Sequence, residues 1–388
     1  MKSNYEPLGK HIRLVDCRNS EEVTSTVLGI SIDKEFMPSV ANVIGTDLSR
    51  YKLISKGLFA CNPMHVGRDE RLPIALYEKD NAAVVSPAYF MFEIIDRDVL
   101  NEEYLMMWFR RPEFDRECWF MTDGSVRGGI TWDDLCRIKL PVPSYARQCE
   151  IVESYRAITN RIALKRAEND NLEATAMSLY KSWFIDYEPF DLDDEGLPVG
   201  WYKAKLNDKL STSTQSINPQ KMDCDFVWHY SIPAYDNEKL PSKDIPSSIL
   251  SNKYIVPPNA ILVSKLNPDT KRIWRSVPCF ENAICSTEFI VFSAKEPTHR
   301  AFYYLLFNTG SFIDFLVSNA TGSTNSRMRV KPASSLDFEF ICPPNEVIDS
   351  FCRKVEPMLQ KIEENHLEIR KLKELIPIAV AKMMSSSR

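Results

Sequence analysis

At 388 residues and 44.7 kDa, with 44% hydrophobic and 11% aromatic residues, the chain is too long for one core and allows two or three folded domains. Its net charge of −5 excludes a uniformly basic nucleic-acid binder, so any such surface has to be local. Ten cysteines without a C-x-x-C pair and five dispersed histidines argue against a disulfide frame or a zinc site. No apolar run approaches the ~20 residues of a membrane span, and Met1 to Glu6 open no signal-peptide core, which predicts a cytoplasmic protein.

Residues 1 to 145 read as a first globular block. Short β-branched and aromatic runs, Val27 to Ile32, Tyr51 to Cys61, Ile74 to Tyr77 and Ala82 to Ile95, are broken by Pro, Gly, Asn and Asp, the pattern of strands. Helices are predicted over Glu102 to Phe109 and Glu113 to Met121. A Gly-rich loop from Thr122 to Gly129 follows, and Leu135 to Val142 reads as a closing strand stopped by Pro141 and Pro143.

From Arg147 to Tyr187 the apolar positions recur at alternating steps of four and three: Ile151, Tyr155, Ile158, Ile162, Leu172, Ala176, Leu179 and Trp183. This spacing puts them on one stripe of a long helix, the seam of a coiled coil. Lys165 and Asn169 fall on the same count, so the seam is polar at its centre. An acidic link from Glu188 to Trp201, with Pro and Gly at turn positions, ends the helix near Tyr187 and opens a second block. From Ile348 the same count gives Cys352, Val355, Leu359, Ile362, His366, Ile369, Lys373, Ile376 and Val380. Pro357 within this pattern and Pro377 near its end predict a kink or a late start. Each apolar stripe needs a partner, and the simplest partner is the other helix.

A single offset of 200 residues superposes Leu172 on Leu372, Glu168 on Glu368, Ile162 on Ile362 and Ser86 on Ser286. Asn62-Pro63 is matched with Asn267-Pro268, the Gly124 loop with Thr321 to Arg329, and Leu140 to Pro143 with Ile341 to Pro344. The chain thus reads as two copies of one unit, a block followed by a long helix, whose spacing is kept while most side chains differ.

Three stretches resemble the specificity subunits of Type I restriction-modification systems: Leu140-Pro141-Val142-Pro143 running into Arg147-Gln148-Cys149-Glu150-Ile151-Val152, then Leu179-Tyr180-Lys181-Ser182-Trp183-Phe184-Ile185-Asp186-Tyr187-Glu188-Pro189-Phe190, and Leu197-Pro198-Val199-Gly200-Trp201. The resemblance covers the whole chain in its block-helix-block-helix order. It implies an α+β fold of two mixed α/β target-recognition domains separated by two long helices that pair as an antiparallel coiled coil. It divides the chain into target-recognition domain 1 (1–145), a central conserved helix (146–188), a linker with target-recognition domain 2 (189–344) and a C-terminal conserved helix (345–388). It further implies that each domain reads one half of a split, asymmetric double-stranded DNA site in a bacterial or archaeal cell. Two methyltransferase subunits and ATP-dependent restriction/translocase subunits are the implied partners. S-adenosylmethionine, ATP and Mg belong to those partners, and this chain, holding no cofactor, addresses the chemistry without performing it.

A DNA reader needs donors for phosphates and base edges, carried on loops or helix ends. Candidates are Ser125 and Arg127 in the Gly124 loop, and Ser323, Thr324, Asn325, Arg327, Arg329 and Lys331 in and after its counterpart. The segments following each Asn-Pro add Asn62, His65, Arg68 and Arg71, and Lys265, Asn267, Lys271, Arg272 and Arg275. Trp183, Phe184, Tyr187 and Phe190 are too apolar to stand exposed at a helix end, and read either as a domain core or as a subunit-docking patch. Antiparallel pairing would bring Lys165 and Asn169 to His366 and so set the register. About 37 helical residues at ~1.5 Å each span ~55 Å, or roughly 16 bp, which bounds the distance between half-sites.

Enzyme motifs are missing from the sequence. The Pro-Pro pairs follow Val256 and Cys342 in place of the Asp or Asn of an adenine methyltransferase, and there is no P-loop and no His-Glu-x-x-His. The alternative of a different class is a non-enzymatic coiled-coil scaffold for protein interaction, which predicts no salt-dependent DNA affinity.

Overall fold

The computed structural model describes residues 5–39, 45–64, 66–122, 128–278, 280–322 and 328–385. They form two compact units, residues 1–161 with 372–388 and residues 162–371.

The first unit opens with β1 (Tyr5–Pro7), β2 (Ile12–Leu14), β3 (Val27–Ile30), β4 (Phe36–Pro38), β5 (Lys52–Ile54), β6 (Phe59–Cys61), α1 (Val66–Asp69), β7 (Ile74–Leu76), β8 (Ala83–Val85) and β9 (Phe90–Ile94). Next come α2 (Glu102–Phe109), α3 (Pro112–Phe120), α4 (Trp132–Arg137), β10 (Lys139–Pro141) and the start of α5 (Tyr145–Phe184). The strands make two four-stranded sheets, ordered β2-β9-β6-β7 and β4-β3-β8-β5, and the pair β1-β10. Alternation along β6 and β9 feeds two cores. Phe59 and Phe92 stack at 5.1 Å and meet Phe109 of α2, whereas Ala60 and Met91 join the cluster of Leu28, Ile54 and Val85.

Two polar devices fix the corner where the block meets α5. Asn101 caps α2 by accepting the N–H groups of Glu103 and Tyr104. Gln148, fully buried on α5, accepts the Asn101 N–H at 2.8 Å and donates to the carbonyls of Val99 and Pro143 at 2.9 Å each. The expected closing strand is shorter than Leu135 to Val142, because Thr131 accepts the Asp134 N–H and starts α4 in its place.

The second unit contains β11 (Tyr202–Lys205), α6 (Leu206–Lys209), β12 (Leu210–Ser213), β13 (Ser216–Ile217), β14 (Val227–Tyr230), α7 (Ile232–Glu238), β15 (Ser242–Asp244) and β16 (Lys253–Ile255). It continues with β17 (Ile261–Ser264), β18 (Ile273–Arg275), β19 (Ala283–Cys285), β20 (Phe289–Ala294), α8 (Arg300–Phe307), α9 (Gly310–Ser318), α10 (Pro332–Ser335), β21 (Glu339–Cys342) and α11 (Asn345–Ser385). The sheets β12-β20-β17-β18, β13-β16-β19-β14-β15 and β11-β21 repeat the first unit strand for strand, with β13 and α7 as additions. β14 and β19 run parallel, as β3 and β8 do. Ser86 and Ser286 occupy the same turn: each hydroxyl accepts the N–H two residues on, from Ala88 and Glu288, so both belong to the scaffold.

Within the second unit α5 and α11 pair antiparallel. Ala176, Tyr180 and Phe184 share one cluster with Phe351, Val355 and Leu359. At the polar centre Asn365 donates to the Asn169 side-chain oxygen at 2.8 Å, and Lys165 meets Glu168 at 2.9 Å and Glu368 at 3.8 Å. Asn365, fully buried, holds the seam position expected of His366. His366 instead lies beside Lys239 and Glu173, and burial brings its pKa down to about 4. In the first unit Ile151, Val152 and Tyr155 of α5 share a cluster with Ile376 and Val380 of α11. α11 begins at Asn345 and continues through Pro357, so the late start expected there does not occur. Pro357 sits on the exposed side, where water can take up the carbonyl that loses its helical partner. Among the described residues no helix is long and apolar enough to cross a membrane.

Candidate nucleic-acid interface

In the first unit the chain leaves β6 at Cys61, makes the excursion that holds α1, and returns at β7. The Asn62 N–H closes this excursion on the Pro73 carbonyl at 2.8 Å, and the Asn62 side chain accepts the Met64 N–H at 3.1 Å. The far end of the Gly124 loop is pinned to the same excursion: Ile130 donates to the Pro63 carbonyl at 3.1 Å and Gly67 to the Gly128 carbonyl at 3.0 Å. A Cβ on Gly129 would stand 2.8 Å from the Pro63 oxygen, so only glycine allows this approach. Two segments more than 50 residues apart in sequence are thereby held side by side.

The second unit uses the same bond. Val330 donates to the Lys265 carbonyl at 3.0 Å, and Asn267 donates to the Met328 carbonyl at 2.8 Å. Ser264 closes on the Arg272 carbonyl at 3.0 Å as Asn62 closes on Pro73. Hydrogen bonding therefore matches Asn62-Pro63 with Ser264-Lys265, and the Asn267-Pro268 pairing expected from sequence is out of register. Asn267 has its own reason to be asparagine, a left-handed backbone at φ 48°.

The candidate side chains fall into three groups. Arg68 and Arg71 are more than half exposed, in ion pairs with Asp69 (2.6 Å) and Asp33 (3.2 Å), and Arg329 pairs bidentately with Glu288 at 3.0 and 3.1 Å. Exposed pairs of this kind are worth ~1 kcal/mol or less in water, so a phosphate can compete for the guanidinium. Lys271 and Lys331 are exposed, Asn62 is partly exposed, and Lys265 is half-buried with its ammonium 5.9 Å from the Tyr254 ring. Arg272 and Arg275 are committed to the fold. Arg272 grips Asp236 of α7 at 2.6 and 2.9 Å. Arg275, 5% exposed on β18, bonds Glu356 and lies 3.0 Å from Glu363 of α11, which removes it from the candidate DNA contacts. His65, Ser125, Arg127, Ser323, Thr324, Asn325 and Arg327 lie outside the described residues.

Lys34 and Asp115 were not singled out in the sequence, yet they position Arg71. Their ion pair at 2.6 Å is buried, Lys34 donates to the Leu72 carbonyl at 3.1 Å, and Asp115 accepts the Leu72 N–H at 3.1 Å. Burial lowers the Lys34 pKa, against the pull of Asp115. At the end of α5 the four aromatic candidates are packed. Phe184 is 4.7 Å from Phe351 and 5.7 Å from Trp201, Phe190 is 4.9 Å from Trp201, and Trp183 and Tyr187 lie half-buried around them. Their apolar character is accounted for by this core.

One strand-and-helix block built twice, each copy presenting a pinned loop pair and each leading into a long helix, defines a loop-presenting scaffold. No family model matches the chain. In sequence it is 23% identical to the MjaIX specificity subunit of a Type I restriction enzyme from Methanocaldococcus jannaschii, over 75% of this chain and 70% of that one. It is 20% identical to the HindI specificity subunit from Haemophilus influenzae, over 66% and 70% of the two chains. In fold it matches the crystal structure of a Type I restriction-modification S subunit from M. genitalium, with a TM-score of 0.57, 12% identity and coverage of 98% and 95%. The chain is thus similar in sequence to specificity subunits of Type I restriction enzymes and in fold to a Type I S subunit.

Proposed function

We propose that the chain is the DNA-reading, non-catalytic subunit of a Type I restriction-modification enzyme of a bacterium or archaeon. Residues 1–145 read one half-site and residues 189–344 the other. Two methyltransferase subunits bind the chain, and restriction/translocase subunits complete the enzyme. The observation that carries this reading is the pinned pair of segments, formed in both blocks by one backbone hydrogen bond, Ile130 to Pro63 and Val330 to Lys265. A rigid scaffold that presents polar, cation-bearing loops is what base and phosphate contact requires. Arg68, Arg71, Lys265, Asn267, Lys271, Arg329 and Lys331 act at these loops, together with Asn62, His65, Ser125, Arg127, Ser323, Thr324, Asn325 and Arg327. Arg272 supports them through Asp236.

The test is co-expression with methyltransferase subunits and mapping of N6-methyladenine in the host DNA. The expected result is a split, asymmetric motif in which exchange of residues 1–145 alters one half only. DNA affinity of the assembled complex should fall linearly on a log–log plot against salt. A chain that purifies without methyltransferase, binds no DNA and yields no motif is instead a coiled-coil scaffold.

A further inference from the structure

α3 carries Arg116, Trp119 and Phe120 at positions i, i+3 and i+4, hence on one side of the helix. Phe120 is 86% exposed and Trp119 43%, while Phe114, Asp115 and Cys118 bury the opposite side. α1 packs against α3 and brings exposed Arg68 with it, and Met64, just before α1, is 50% exposed. A folded chain rarely leaves such apolar surface in water without a partner.

Two observations name the partner. α3 packs against α1, which carries the candidate cation Arg68, and α1 is tied through the Gly67 N–H to the Gly128 carbonyl. The aromatic face therefore lies on a helix that adjoins the candidate cation of α1. Its cation, Arg116, is exposed and pairs with an exposed carboxylate, Glu113 at 3.3 Å, an arrangement that a phosphate can displace. The corresponding end of α9 carries Val317 and Ser318, so the feature is confined to the first block.

We propose that Trp119 and Phe120 form a wedge against duplex DNA: the rings press on or between base pairs of the first half-site while Arg116 holds the neighbouring phosphate. This rests on the DNA-reading role proposed above and adds a second kind of readout to it. An inserted ring unstacks a base step and bends the duplex, and pyrimidine–purine steps yield most readily. The first half-site is then selected in part by deformability, at positions where no hydrogen bond reads a base.

The experiment uses the full chain assembled with its methyltransferase subunits, and DNA of the mapped motif with 2-aminopurine placed in turn along the first half-site. Wild type should brighten the probe at one step. Phe120→Ala should abolish that signal and weaken binding about tenfold or more, Phe120→Trp should retain both, and melting of the complex should be unchanged. No unstacking by wild type at any position, or undiminished binding by Phe120→Ala, would overturn the wedge. So would loss of methyltransferase subunits from the Phe120→Ala complex, which would make the face a protein-docking surface. A wild-type complex that binds no DNA sinks the DNA-reading role itself, and is told apart from these outcomes because the variant is then irrelevant.

Discussion

Along α5 in the first unit, Arg156 reaches Glu103 of α2 beside an open cleft of about 470 Å³ lined by Lys34, Tyr77, Arg110 and Tyr155. Along α11 in the second unit, Glu363 meets two arginines that are 5% and 4% exposed, Arg275 and Arg300, and Glu356 joins them. Burial, and then the neighbouring Arg275, bring Arg300 down to about 10, and burial raises the Glu363 carboxyl. The corner below differs in the opposite sense: Gln148 ties the first block to its helix with three hydrogen bonds, and fully buried Ile348 stands in the second. The addition of α7 accompanies the difference. Its Tyr235 hydroxyl accepts the Ile273 N–H at 3.3 Å, and Lys239 just after it accepts from Trp274 and pairs with Glu173 of α5. One topology thus tolerates two ways of joining a block to a helix, a solvated joint in the first and a desolvated ionic joint in the second.

The contrast is broken most directly at Glu363. Glu363→Ala leaves two buried guanidinium groups short of a carboxylate and should cost about 3–5 kcal/mol in denaturant unfolding of the second unit. A loss below about 1 kcal/mol would show the ionic joint to be as solvated as the first. His366 sharpens the comparison through pH. Its folded pKa of about 4 lies below the ordinary 6.5, so the unfolded chain takes up the proton first. Stability should therefore fall as pH drops from about 6.5 to about 4, by about 2–3 kcal/mol. His366→Gln should flatten that slope, and an unchanged slope would assign it to another group.

At the seam, Asn169→Leu removes one acceptor of the Asn365 amide, leaving it Glu168, and should cost about 1–3 kcal/mol, whereas Asn169→Leu with Asn365→Leu should recover most of it. The double variant should loosen helix register, read by cross-linking between cysteines placed on α5 and α11; a unique, unaltered register would deny the amide pair that role. The smallest effect is expected at Arg156→Ala in the first unit, below about 1 kcal/mol because its pair with Glu103 is half in water.

The long helices, the strands with β-branched runs and the 200-residue repeat were legible in the sequence because each rests on local periodicity. α4 was not, since Cys136 to Leu140 alternates like a strand; the Thr131-x-x-Asp134 spacing was the signal for a helix start. The shared Asn-Pro dipeptide points from Asn62-Pro63 to Asn267-Pro268, whereas the hydrogen bonds from Ile130 and Val330 reveal the matched positions. The 4-3 count lands on His366, one residue from the buried Asn365, because it cannot resolve a single step near the middle of a long seam. Arg275 looks like a surface cation in the sequence because its partners lie some 80 residues on, and no local pattern reports a non-local ion pair.

The bond that ties each loop to its block runs from main chain to main chain. Such a fastening does not depend on which side chains the loop carries, so the loops can be rewritten residue by residue while their mounting stays put. Gly129 is the exception, the one tooth of the first mounting that has no spare room. Sequence change is therefore expected to spread freely through the loops and to stop at that glycine.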